Sequence, residues 1–195
     1  MTAVILAGGQ SRRMGRDKLL LPLSGERLLD RAVRRYGEVF PRVLVSVSGP
    51  ERYPELGEMR VFDVFPGAGP LAGLHAGLLA AEDDVFLTGG DMPFSSPEKA
   101  LELIRLGEGC EACVLRDESG RWEPLFGLYR HSLLPRAEEL LRTGQRRMAA
   151  LLSLASLREV TLEELGEGPD SALLRNVNDP GDYEKLRLEL DGGPW

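Results

Sequence analysis

Short apolar runs and amphipathic stretches alternate along the first half of this 195-residue chain. TAVILA, residues 2–7, is an apolar run with β-branched Val4 and Ile5 that stops at Gly8 and Gly9. It predicts a buried, parallel strand entering a loop. Over 27–40, Leu28, Leu29, Ala32, Val33, Tyr36, Val39 and Phe40 recur at helical spacing and predict an amphipathic helix. RVLVSVS, from Arg42, and RVFDV, from Arg60, predict a second and a third strand. FPGAGP then reads as a loop, and LAGLHAGLLAA as a helix of small and apolar residues. DVFLTGGD, from Asp84, predicts a fourth strand, followed by MPFSSP and a helix over 97–106. Strand and helix alternate at the pitch of βαβ units, which calls for a parallel sheet covered on both faces.

The second half is less regular. EACVLRD and RWEPLFGLY, separated by Glu118, Ser119 and Gly120, predict neighbouring strands joined by a turn. Helices are expected from about Leu133 and from about Arg147, then a short strand over 157–160. LLRNVNDPGDYEKLRLEL predicts a strand, a turn and a closing helix capped at Asn178 or Asp179, with Pro180 in its first turn. No repeat, low-complexity linker or composition shift divides the chain. The expectation is α/β, doubly wound and mostly parallel, with helices on both faces: a single domain over 1–190 and a mobile tail over 191–195.

Composition narrows the class. At 43% hydrophobic and 28% charged residues, the chain has the make-up of an ordinary globular protein. It has no apolar run near the length of a membrane span and no leader-like start, so it is expected to be cytoplasmic, with no membrane partner. A formal charge of −7 argues against a nucleic-acid partner, which would call for a basic face. Cys110 and Cys113 form a lone CxxC with no second pair, and His75 and His131 are distant in sequence; two buried, inert thiols are expected.

One stretch runs against the acidic whole. LAGGQSRRMGRDK, residues 6–18, sets Arg12, Arg13, Arg16 and Lys18 against Asp17 alone. Only Lys18, Lys99 and Lys185 are lysines, so arginine is simply the chain's usual cation, whereas a lysine at the end of the glycine loop is not. Glycines let backbone approach a phosphate and aim amide groups at it. The spacing fits neither GxxxxGKS/T nor GxGxxG, so this would be a phosphate loop of another type, with Arg13 and Lys18 aimed at the anion. A solvated basic turn with glycines serving backbone geometry is the alternative.

In an open α/β sheet, ligands bind outside the carboxyl ends of the strands. That rule singles out Gly8 and Gly9 after the first strand, Ser46 and Ser48 at the second, Asp63 at the third and Asp91 at the fourth. Asp91 could hold Mg²⁺, which takes hard oxygens from one or two carboxylates and from substrate phosphates, or could simply cap a turn; Asp63 invites both readings. VFPGAGPLAG, with Gly67, Gly69, Pro70, Leu71 and Gly73, leads into a helix N-terminus that could meet an anion or a base edge, or could be a tight turn. On a strand, Asn176 and Asn178 would face one way, as ligand contacts require; Asn178 could equally be a helix cap. No Ser-His-Asp set stands out. A phosphate monoester nucleophile, already an anion, would need charge screening and alignment rather than a base.

LAGGQSRRMGRDK resembles the LAGGxxxRMGxDK signature of nucleotidyltransferases, and PGAGPLAG, GGDMPF, EPLFGLY and NVNDPGDY follow in the order of the molybdenum cofactor guanylyltransferase family. The resemblance runs from Ala3 to about Leu186. It implies a Rossmann-like fold and transfer of GMP from GTP to a molybdopterin-type cofactor, with release of pyrophosphate. It further implies Mg²⁺ on Asp91, phosphates on Lys18 with Arg13 helping, and nucleotide contacts at Leu6, Ala7, Gly8, Gly9, Ser46, Asp63, Gly69, Pro70 and Leu71. Asn176 and Asn178 would lie on the acceptor side, and cofactor-insertion proteins or apo-molybdoenzymes would receive the product. Two departures stand out: Ser46 and Ser48 where members can carry asparagine, and GGD where CD is frequent. The alternatives are a cytidylyltransferase of the same cofactor, a sugar-1-phosphate or phospholactate nucleotidyltransferase, and a nucleotide-binding insertion adapter without chemistry. Cytidylyl enzymes tend toward LAAG and lack GPLAG, so Gly8 and Gly9 favour guanine.

Overall fold

The computed structural model describes residues 1–8, 15, 17–117 and 119–191. Its centre is a seven-stranded sheet. The strands in chain order are β1 (Thr2–Leu6), β4 (Val43–Val47), β5 (Arg60–Phe62), β6 (Val85–Gly89), β7 (Ala112–Arg116), β8 (Trp122–Tyr129) and β9 (Leu157–Val160). The intervening β2 (Pro22–Leu23) and β3 (Glu26–Arg27) form a separate hairpin around Ser24 and Gly25, both at positive φ. Spatial order across the sheet is β5-β4-β1-β6-β8-β7-β9. β8 pairs antiparallel with β6 and β7, while the β1–β4, β1–β6, β4–β5 and β7–β9 pairs are parallel.

The expected doubly wound layout is therefore present, and residue alternation explains it. Ala3 and Ile5 of β1, Val43, Val45 and Val47 of β4, and Phe86 of β6 face one side of the sheet. There they pack with helices α1 (Leu28–Gly37) and α3 (Pro97–Leu106). Val4, Leu44, Val85 and Leu87 face the other side, against α2 (Pro70–Ala81), α4 (Leu134–Arg142) and α5 (Met148–Leu152). Burial on both faces is why these strands read as continuous apolar runs.

α2 is apolar all round because it is enclosed by sheet and α4. A Cβ on Gly73 would sit 2.5 Å from Leu6 Cδ2 and 2.7 Å from Ser46 Oγ, so the helix rests directly on the ends of β1 and β4. α1 is shorter than the expected 27–40: after Gly37 the chain turns toward β4, and Phe40 tucks back under Tyr36 and Phe86.

The strand expected in LLRNVN is absent, and that expectation is corrected. Leu173 and Leu174 form a turn, with the Arg175 amide donating to the Ala172 carbonyl at 2.9 Å, and 175–178 are irregular. Val177 instead joins Leu23, Leu28 and Leu186 in a small core that binds the β2–β3 hairpin to the C-terminal helix α6 (Pro180–Asp191). The cap of α6 is Asp179: its Oδ1 accepts from the Asp182 amide at 3.0 Å, while Asp182 Oδ2 accepts from the amides of Asn178 and Asp179. Of the expected tail, 192–195 lie outside the described residues.

Candidate functional site

From β1 the chain passes to β4 and β5 on one side, then returns to lay β6 on the other. The switch point is thus the gap between the carboxyl ends of β1 and β6, where a doubly wound sheet opens a crevice. A cavity of about 600 Å³ lies there, within the usual range for small-molecule sites. Leu6 and Gly8 line it from β1, Ser46 and Ser48 from β4, Asp63 from β5, and Gly89 and Asp91 from β6. Gly67, Gly69, Pro70 and Gly73 form its wall on the α2 side, Leu125 of β8 closes another edge, and Lys18 and Leu19 complete the described lining.

Lys18 and Asp91 are the charged pair at the centre. Lys18 Nζ donates to Asp91 Oδ2 at 2.5 Å and to the Val177 carbonyl at 2.8 Å. The side chains are 15% and 22% exposed, open enough to meet a ligand and enclosed enough to be weakly screened. The Lys18 backbone is held by its neighbour: Asp17 Oδ1 accepts from the Leu19 amide at 3.1 Å, capping the short turn over Lys18–Leu20. Asp17 Oδ2 accepts from Arg52 Nη2 and the Tyr53 hydroxyl, each at 2.7 Å. The β4–β5 connection therefore clamps the exit of the glycine loop.

On the opposite side, Ser46 Oγ donates to Asp63 Oδ1 at 3.0 Å. Burial pushes the Asp63 carboxyl above its ordinary range, with the Ser46 bond opposing the shift. α2 begins beside this pair. Gly69 is its N-cap at φ +72°, a conformation that glycine alone takes at little cost, and Pro70 opens the first turn. The positive end of the helix dipole consequently lies at the cavity.

Glu123, at the start of β8, adds a third carboxyl near Asp91. Burial first, and the charges of Asp91 and Asp117 after it, raise its pKa, against the Leu125 amide that donates to it at 3.0 Å.

The structure brings Leu6, Gly8, Lys18, Ser46, Asp63, Gly69, Pro70 and Asp91 together around one cavity. Ala7 and Leu71 are fully buried in the two apolar cores, and their side chains do not reach it. Gly9 and Arg13 lie outside the described residues, with the rest of 9–14 and 16. Asn176 and Asn178 do not share a strand face, because no strand forms: Asn178 is exposed, and Asn176 is half-buried with no hydrogen-bond partner for its Oδ1 among the described residues. That segment reaches the site through the backbone of Val177, whose amide donates to the Asp91 carbonyl at 3.0 Å and whose carbonyl accepts from Lys18. The Asp17–Arg52–Tyr53 clamp and Glu123 were not singled out from sequence. Their signals were the Asp-Lys pair that ends the glycine loop and the glutamate that opens EPLFGLY.

Neither histidine lines the cavity: His75 is buried on α2 with its ring edge against Phe65, and His131 follows β8 near Asp84. Cys113 is buried and its thiol is pushed up to about 12, whereas Cys110 is only half-buried, which corrects the expectation that both thiols are buried. Among the described residues, no group of three or more His, Cys, Asp or Glu side chains could by itself hold a metal ion. Asp91 is nonetheless a hard oxygen donor facing the cavity. Magnesium commonly takes one or two carboxylates and completes its shell with water and substrate phosphate, which suits this donor set. None of the described helices is long and apolar enough to cross a membrane.

Residues 3–160 match the family model of the MobA-like NTP transferase domain. A probable molybdenum cofactor guanylyltransferase of Pelotomaculum thermopropionicum is 36% identical, the match covering 96% of this chain and 92% of that one. One from Carboxydothermus hydrogenoformans is 34% identical, covering 95% and 94%. Among solved structures, molybdopterin-guanine dinucleotide biosynthesis protein A from Archaeoglobus fulgidus superposes with a TM-score of 0.87 at 25% identity, over 99% of this chain and 100% of that one.

Proposed function

The chain belongs to the MobA-like NTP transferase family, and from that premise we propose that it transfers GMP from GTP to the terminal phosphate of a molybdopterin-type cofactor in the cytoplasm. The acceptor phosphate oxygen forms a bond to the α-phosphorus of GTP, the α–β bridging P–O bond breaks, and pyrophosphate leaves. The observation that carries this reading is the meeting of Lys18 and Asp91 at the switch point, inside a cavity of nucleotide size.

The residues supply positioning and charge. Gly8 presents bare backbone at the rim, where the α-phosphate can approach closely. Lys18 draws the negative charge that gathers on the departing pyrophosphate, and the N-terminus of α2 favours anionic atoms at the Pro70 side. Asp63, with Ser46 beside it, lies where the nucleoside would contact the ends of β4 and β5. Asp91 would hold Mg²⁺, which would screen the phosphate oxygens and polarise the α-phosphorus. The acceptor is an anion and needs no base, consistent with a described lining that contains no histidine. The acceptor's place is the Val177 side, next to Lys18. Cofactor-insertion proteins or apo-molybdoenzymes would take the product onward.

Calorimetric titration with GTP, CTP and ATP in the presence of Mg²⁺ tests the nucleotide half. Preference for GTP, lost in Lys18→Ala, supports the reading. Preference for CTP moves the chain to cytidylyl transfer.

A further inference from the structure

Asp91 is the carboxylate of the cavity that faces Lys18, and its Oδ2 is engaged by the lysine ammonium at 2.5 Å. A divalent cation bound at the same carboxylate would sit within a few ångströms of that ammonium, and the two positive charges would repel. Glu123 is the other carboxyl near Asp91, and no group of three metal-ligating side chains occurs among the described residues, so the protein offers a bare cation few donors. A nucleotide triphosphate changes both terms. Its oxygens complete the metal shell, and its charge gives the flexible lysine a second anion to pair with.

We propose that Lys18 keeps the metal's place on Asp91 until a nucleotide arrives, so that cation and triphosphate enter together and the cation alone binds poorly. The inference rests on the reading above that Asp91 takes the metal. It carries an unusual consequence. Removing the Lys18 charge weakens nucleotide binding yet strengthens binding of a bare divalent cation.

Mn²⁺ titration of the full chain without nucleotide, followed by electron paramagnetic resonance, reads this directly. Lys18→Met should bind Mn²⁺ about ten- to a hundredfold more tightly than the wild type, the range expected for releasing one charge-assisted hydrogen bond. The gain should vanish when Asp91→Asn is added. Lys18→Gln repeats the test should the methionine variant melt early. The wild type alone also decides: a saturating, Asp91-dependent Mn²⁺ site at micromolar concentration without nucleotide overturns the proposal, as does equal affinity in wild type and Lys18→Met. If those results come with an Asp91-dependent Mn²⁺ site in the presence of GTP, the metal assignment stands and only the place-holding role falls. If Asp91→Asn changes Mn²⁺ binding under neither condition, the metal assignment itself is wrong.

Discussion

The Ser46 hydroxyl and the Asp63 carboxylate meet at 3.0 Å across the ends of two adjacent parallel strands, β4 and β5, on the floor of the cavity. Burial holds the Asp63 carboxyl above its ordinary range. A folded-state pKa above the unfolded value means that the native chain binds the extra proton, so Asp63 lowers stability as pH rises through that range and costs nothing below it. Asp63→Asn is therefore expected to raise Tm at pH 7 by about 1–3 °C, on the usual scale for a domain of this size. The gain should disappear at acidic pH, below the ordinary carboxylate range. In the same variant GTP binding should weaken; thermal melts across pH, paired with calorimetry, check both.

Asp91→Asn keeps the shape of the side chain and removes its charge. Turnover is expected to fall by about a hundredfold or more, the scale for losing one preorganised electrostatic contact to a transferring phosphoryl group. Stability should fall by about 1–3 kcal/mol, because the enclosed pair loses its charge-assisted bond while Lys18 keeps only its bond to the Val177 carbonyl. Steady-state kinetics and a denaturant melt on one preparation measure the two together.

Two glycines of the cavity should answer alanine differently. Gly73→Ala must displace Leu6 and Ser46, and is expected to cost about 1–3 kcal/mol of stability in a denaturant titration. Gly8→Ala meets no atom of the described residues within 4 Å and should leave stability within about 0.5 kcal/mol of the wild type. Its added methyl stands at the rim, so a raised KM for GTP with unchanged Tm would mark close approach of the ligand to the backbone.

Tyr53→Phe removes one of the two side-chain donors that hold Asp17 Oδ2. A lost hydrogen bond to a charged group costs about 1.5–3 kcal/mol in stability. If the clamp serves Lys18, KM for GTP should rise several-fold with little change in the pH dependence of kcat.

Much of the fold was legible because burial on both faces writes itself as apolar runs: β1, β4 and β6 carry it plainly, and each ends in the residues that line the cavity. The RNVNDP segment misled, because Val177 between polar neighbours resembles one step of a strand alternation. Its side chain packs against Leu23 and Leu186 instead, a contact that the local pattern cannot announce. The hairpin at Ser24 and Gly25 was equally hidden, its strands being two residues each. Leu71 and Ala7 stood in motifs around the site, yet their side chains serve the core that supports it. The Asp17–Arg52–Tyr53 clamp joins residues 35 and 36 positions apart, and only the tertiary structure brings them together.

Guanylyl transfer to a pterin phosphate is the activity proposed for this chain. Its most direct test is incubation of the purified chain with molybdopterin, Mg²⁺ and equal concentrations of GTP and CTP, with chromatographic identification of the dinucleotide and assay of pyrophosphate. The guanine dinucleotide, formed with one equivalent of pyrophosphate and lost in Asp91→Asn, is the predicted result. Formation of the cytosine dinucleotide instead, or of no dinucleotide under conditions where GTP is shown to bind, would contradict it.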